Sequence, residues 1–252
     1  MEKVISPQEG RSMKLTGVSA YTVKNPFPSR GGMYWFLVKL ETSDGIDGWG
    51  EVYWHTLGPE AFTNTVRDVF HFLLLDQDPF QIETHFARFF NAHCKQHSDL
   101  SKIGVFSGLE IACWDIIGKA LDRPIYELLG GKYRDRLRTY SYIYPEDPGE
   151  WHEPTWFNPE ASAARAREYL KLGFTAIKLD PVAYEQDAPP WQPSLRNLAN
   201  AEHVIAEVRK AVGNECDIII GTHGQFTPAA AIRFAKRLEK YDPFWFEEPV
   251  PP

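Results

Sequence analysis

The amino-acid sequence predicts an α+β domain over residues 1–136, followed by a parallel α/β domain over residues 137–252. Two observations predict it. In the first half strand-like runs come before helix-like runs, the order of an α+β unit. From residue 137 the order turns to strand, helix, strand, helix, which implies parallel strands joined by right-handed crossovers. Four such units suit half of an eight-fold barrel or a small open sheet.

Each element has its own signal. Residues 15–23 and 34–41 read as strands, Ser43-Asp44-Gly45 as a hairpin turn, and residues 46–53 as the returning strand. Phe62, Val66, Val69, Phe70 and Leu73 recur at helical spacing over residues 60–74, and further helices are expected over 80–90 and 104–120. In the second domain the strands fall at 137–143, 175–179, 217–220 and 244–246. Asn158 caps a helix opened by Pro159 and ended at Gly173, and a second helix spans 195–212 before Gly213. Thr227 caps a third, opened by Pro228. Pro243-Phe244-Trp245-Phe246 reads as a buried strand that delivers Glu247-Glu248-Pro249 at its end. Residues 181–193, with four prolines, form a loop directly after a strand, where ligand sites are usually shaped.

Composition narrows the function classes. The 27 Lys and Arg against 34 Asp and Glu give a net charge of −7, which argues against a nucleic-acid binder. Cys94, Cys113 and Cys216 share no short spacing and read as reduced core thiols of a cytoplasmic protein, not as a disulfide frame or zinc site. No stretch approaches the ~20 apolar residues of a membrane span, and Met1-Glu2-Lys3-Val4 lacks the apolar core of a signal peptide. Neither a phosphate-cradling glycine loop nor a Ser or Cys nucleophile motif is present.

Chemistry concentrates at strand ends, where parallel α/β sheets bind ligands. Glu247 offers a rigid carboxylate for a hard cation, while Glu248 points to the opposite face. His223 follows the third strand, and an imidazole can give and recover a proton near neutrality. Lys178 and Asp180 close the second strand. Each has a plain structural alternative: Glu247 saturated by a cation, His223 bonded to backbone, Lys178 paired with Asp180 or Glu247.

Gly108-Leu109-Glu110-Ile111-Ala112-Cys113-Trp114-Asp115-Ile116-Ile117-Gly118-Lys119-Ala120, followed by Pro124-Ile125-Tyr126-Glu127-Leu128-Leu129-Gly130-Gly131, resembles the hallmark helix and turn of the enolase superfamily, in its mandelate racemase-like branch. The resemblance implies an α+β capping domain and a (β/α)₇β barrel of the TIM type, of which this chain carries the first four strands. Ile177-Lys178-Leu179-Asp180-Pro181, Thr222-His223-Gly224-Gln225-Phe226-Thr227-Pro228 and Trp245-Phe246-Glu247-Glu248-Pro249 are similar to sugar-acid dehydratases of the galactonate, gluconate and mannonate type. Those enzymes bind Mg²⁺ on three strand-end carboxylates, form an enediolate and expel the β-hydroxyl as water.

The resemblance makes Glu247 a magnesium ligand, His223 the general acid for the departing hydroxyl, and Lys178 a polarising cation on the substrate carboxylate. Gly221 departs from the pattern, because an Asp metal ligand normally stands there. Asp180, at the adjacent strand end, is a candidate replacement; it also occupies the place of the second Lys of a Lys-x-Lys pair, which disfavours a racemase or cycloisomerase. In such dehydratases the α-proton goes to a His paired with an Asp on later strands. Loops over 25–33 and 52–57 are expected to select the substrate, with Arg30 and His55 as candidates. The expected partners are a small-molecule sugar acid and further copies of the chain, a homo-oligomer, with neither nucleic acid nor membrane. The rival expectation is a catalytically incomplete half barrel with a binding or vestigial role, because half a barrel leaves open strand edges.

Overall fold

Strict alternation on one strand sets the first sheet. On β2 (Tyr34–Thr42) Phe36, Val38 and Leu40 are buried while Trp35 and Glu41 face out, so one face must be covered. The computed structural model describes residues 13–26, 32–54, 58–144, 155–185 and 192–251 and divides into two units, Met1–Asp135 and Arg136–Pro252. In the first, β1 (Leu15–Lys24), β2 and β3 (Asp47–Val52) form an antiparallel sheet in that order. The Thr42 hydroxyl ties the hairpin by donating to the Ile46 carbonyl at 2.7 Å.

The covering layer is helical: α1 (Pro59–Leu73), α2 (Ile82–Phe89), α3 (Leu100–Leu121) and the short α4 (Ile125–Leu128). Phe62, Phe89, Leu109 and Ile116 share its core with Leu40. Helix α2 continues into a π-helical turn, Phe90–Cys94. Helix α3 starts four residues earlier than its periodicity suggests, since the Asp99 carboxylate accepts from the N–H groups of Ser101 and Lys102 and caps it. The Gly-x-x-x-Ala spacing of α3 is a packing device. A Cβ on Gly50 would stand 1.9 Å from the Gly108 carbonyl oxygen, and one on Gly48 2.1 Å from that of Ala112. Helix and strand backbones touch there, and Asp115 accepts the outward N–H of Trp49 at 2.9 Å. The Gly130-Gly131 turn runs at φ 112° and 101°, a backbone that side chains disfavour.

In the second unit β4 (Ser141–Tyr142), β5 (Ala176–Leu179), β6 (Asp217–Gly221) and β7 (Trp245–Glu247) pair in sequence order, all parallel. Between them run α5 (Pro159–Lys171), α6 (Leu195–Val212) and α7 (Pro228–Leu238). Asn158 and Thr227 cap α5 and α7 as the sequence predicts, and Ser194 caps α6. Residues from all three helices pack with Ile143, Ile177, Leu179, Ile218, Ile220 and Phe246 in one core. Helices on a single face of sequentially ordered parallel strands are half of a (β/α) barrel, whereas a doubly wound sheet carries helices on both faces.

Two expectations are corrected. The strand expected over 137–143 contributes only Ser141 and Tyr142 to the ladder. Upstream, Arg138 holds the chain by its side chain, donating to the Thr175 carbonyl at 2.6 Å and pairing with Asp217, and Leu137 is exposed. The strand expected to be buried over 244–246 is shifted by one residue and half open: Phe244 and Trp245 are 51% and 38% exposed. Within β7, Phe246 turns to the helices, against Phe234 at 5.9 Å, while Trp245 and Glu247 face the other side, as alternation requires; Phe244 lies just before the strand.

Candidate active site

The face of the second sheet turned away from its helices carries the polar side chains. Register places Tyr142 beside Lys178, and Gly221 beside Glu247. Lys178 is almost wholly buried, with 4% of its side chain exposed, and donates to Glu247 Oε1. Trp245 Nε1 donates to the other carboxylate oxygen, Oε2, at 2.9 Å. The Lys178 ammonium stands 4.9 Å from the Tyr142 ring and 5.7 Å from that of Tyr140, within cation–π range.

These contacts decide the charge states. Burial works against ionisation of Glu247, yet the hydrogen bonds from Lys178 and Trp245 outweigh it and hold its pKa below the ordinary value. Burial likewise opposes the Lys178 cation, and bonding to Glu247 and Tyr142 more than compensates, raising its pKa. Burial, with the nearby Asp180 charge, pushes the Tyr142 phenol up to about 12. The site therefore holds a fixed ion pair beside a neutral phenol.

Beyond the strand ends the chain turns sharply. His223 and Glu248 both adopt φ 46°, a left-handed conformation that costs a bulky residue about 1–3 kcal/mol and collects at functional sites. Two backbone bonds hold the turn: Gly224 N–H donates to the Glu248 carbonyl at 2.7 Å, and Gln225 N–H to that of Thr222 at 3.0 Å. The buried Thr222 hydroxyl donates to the Glu247 carbonyl at 2.7 Å. As a result His223 stands open, with Nδ1 3.4 Å from Asp180 Oδ2. Burial raises the Asp180 pKa, with the His223 and Lys178 charges acting against it.

Lys178, Asp180, His223 and Glu247 thus lie on adjoining strand ends, Lys178 with Glu247 and Asp180 with His223. Arg30 and His55 lie outside the described residues, as do residues 186–191 in the loop after β5. Tyr140, Tyr142, Trp245 and Thr222 are partners that sequence reasoning missed. An aromatic pair two residues apart before a Lys-bearing strand was the available signal for the tyrosines. Among the described residues no three His, Cys, Asp or Glu side chains gather to hold a metal ion. The Asp180 and Glu247 carboxylates are near enough for Glu247 to act on Asp180 electrostatically, and Asp180 Oδ1 is buried with no hydrogen-bond partner. An orphaned buried carboxylate oxygen is costly, and its chemistry suits a hard cation.

Residues 18–130 match the N-terminal domain of mandelate racemase / muconate lactonizing enzymes, and residues 161–252 match the enolase C-terminal domain-like family. The chain belongs to the enolase superfamily. Among its members, the D-xylonate dehydratase of Haloferax volcanii is 34% identical over 260 residues, covering 99% of this chain and 57% of that relative. The D-galactonate dehydratase of Pectobacterium atrosepticum is 31% identical, over 94% of this chain and 56% of its own length. The crystal structure of a mandelate racemase/muconate lactonizing enzyme from Sulfitobacter sp superposes with a TM-score of 0.86 at 41% identity, over 95% of this chain and 60% of that one. The chain therefore spans little more than half the length of these superfamily relatives. The relatives named as dehydratases are hydro-lyases, so the chain belongs to a family of enzymes. No described helix is long and apolar enough to cross a membrane.

Proposed function

We propose that the protein carrying this chain is a magnesium-dependent dehydratase of a sugar acid, an aldonate such as galactonate, gluconate or mannonate. The observation that carries this reading is the open imidazole of His223, set beside Asp180 at the same strand ends as the Lys178–Glu247 pair. Glu247 would hold the Mg²⁺, its carboxylate ionised and aligned by Trp245. A bound Mg²⁺ supplies charge neutralisation at the substrate carboxylate as the α-proton is lost.

The remaining work falls to side chains. Lys178, a cation packed between two tyrosine rings, adds positive charge where a substrate carboxylate would lie. Asp180 Oδ2, 3.4 Å from Nδ1, would orient the His223 ring and leave Nε2 as the atom that delivers a proton to the departing β-hydroxyl. Loss of that hydroxyl as water turns an aldonate into a 2-keto-3-deoxy acid. A cytoplasmic homo-oligomer, as the family resemblance implies, completes the proposal.

The test is turnover of an aldonate panel by the full-length protein with Mg²⁺, reading 2-keto-3-deoxy acid formation against an EDTA control. His223→Asn should lower kcat by about 10²–10⁴-fold. Absence of product from every aldonate would sink the reading and favour a binding role.

A further inference from the structure

The family resemblance implies a metal-binding Asp where Gly221 stands, and its absence has a steric counterpart one strand away. Leu179 and Ile220 are register partners, so Asp180 and Gly221 follow them side by side. A Cβ built on Gly221 would stand 2.0 Å from Asp180 Oδ1 and 3.1 Å from its carboxyl carbon. A side chain at 221 and the Asp180 carboxylate therefore exclude one another. Asp180 Oδ1 thus stands inside the space that the first side-chain atom of any residue but glycine at 221 would need. That same oxygen is buried and unpartnered, while Oδ2 faces His223 at 3.4 Å.

We propose that Asp180 supplies, from β5, the metal-binding carboxylate that superfamily members place at the position of Gly221, and that glycine is needed there to leave this carboxylate room. The two oxygens divide the labour: Oδ1 reaches the metal beside Glu247, and Oδ2 steadies His223. The proposal rests on the reading of Glu247 as a metal ligand.

The experiment is a Mn²⁺ titration of the full-length protein without substrate, following free Mn²⁺ by electron paramagnetic resonance with Mg²⁺ as competitor. Thermal unfolding in EDTA checks the fold of every variant. Asp180→Asn and Glu247→Gln should each raise the Kd by more than about 100-fold, beyond what outer-sphere changes commonly cost. Gly221→Asp alone should unfold at lower temperature. The exchange Asp180→Gly/Gly221→Asp should recover both wild-type stability and a Kd within about 10-fold of wild type. Tight binding by Asp180→Asn, with binding lost in Glu247→Gln, would overturn the relocation and leave the metal-site reading standing. Tight binding by both variants would overturn the metal-site reading itself. A folded exchange variant that binds no Mn²⁺, or an unperturbed Gly221→Asp, would also overturn the relocation. If Asp180→Asn does not fold, the exchange variant still decides.

Discussion

In the first unit, strand β3 pairs with β2 on one side, and on the other α3 lies against it, with Gly50 meeting Gly108 and Trp49 N–H received by Asp115. In the second unit, β4 and β7 each pair with one neighbour among the described residues, and Phe244 and Trp245 beside β7 stand open. The two cores are built alike, each from one sheet face and a helical layer. What differs is the treatment of edges and second faces. The first unit closes an edge with backbone contact. The second leaves its non-helical face to polar side chains, the buried Lys178 and the partly buried Asp180 among them.

Breaking the shared feature, the core, should have the largest effect. Phe234 is fully buried against Phe226 and Phe246, so Phe234→Ala should cost about 3–5 kcal/mol in urea unfolding. Gly50→Ala attacks the edge closure peculiar to the first unit. The added Cβ meets backbone, which cannot swing aside, and a loss of about 1–3 kcal/mol is expected. A neutral result there would remove the contrast between the units.

The cap of α3 sharpens the comparison through pH. Burial works against the Asp99 charge, but the Lys102 and Ser101 N–H groups and the Lys102 ammonium hold its pKa below the ordinary 3.8. A lowered folded pKa means stability that is full above 3.8 and lost as pH falls through the folded value. Asp99→Ala should therefore cost about 1 kcal/mol near neutrality, and the gap from wild type should close in acid. A gap independent of pH would show that the carboxylate's charge plays no part in the cap. The smallest effect belongs to the open face: Phe244→Ala should cost less than about 1 kcal/mol, since the ring is half exposed and rests chiefly under the Arg138 guanidinium at 5.6 Å. A loss as large as that of Phe234→Ala would mean that this face is covered in solution.

Local order was legible because its causes are local. The Asn158-Pro159 and Thr227-Pro228 caps and the alternation of β2 were written within a few residues of where they act. Periodicity overreached where a side chain replaced the ladder, as Arg138 does before β4, and missed the start of α3 because Asp99 lies outside the apolar pattern.

By itself, the sequence determined the fold class, the Asn158 and Thr227 helix caps and the strand ends on which Lys178, Asp180, His223 and Glu247 stand. Only the tertiary structure decided that Lys178 pairs with Glu247, 69 residues away, that Tyr142 and Trp245 fix that pair, and that Asp180 fills the space over Gly221. The physical reason is that strand position follows from short-range patterning. Which side chains meet across parallel strands depends on register and crossover geometry, which no single segment of the chain contains.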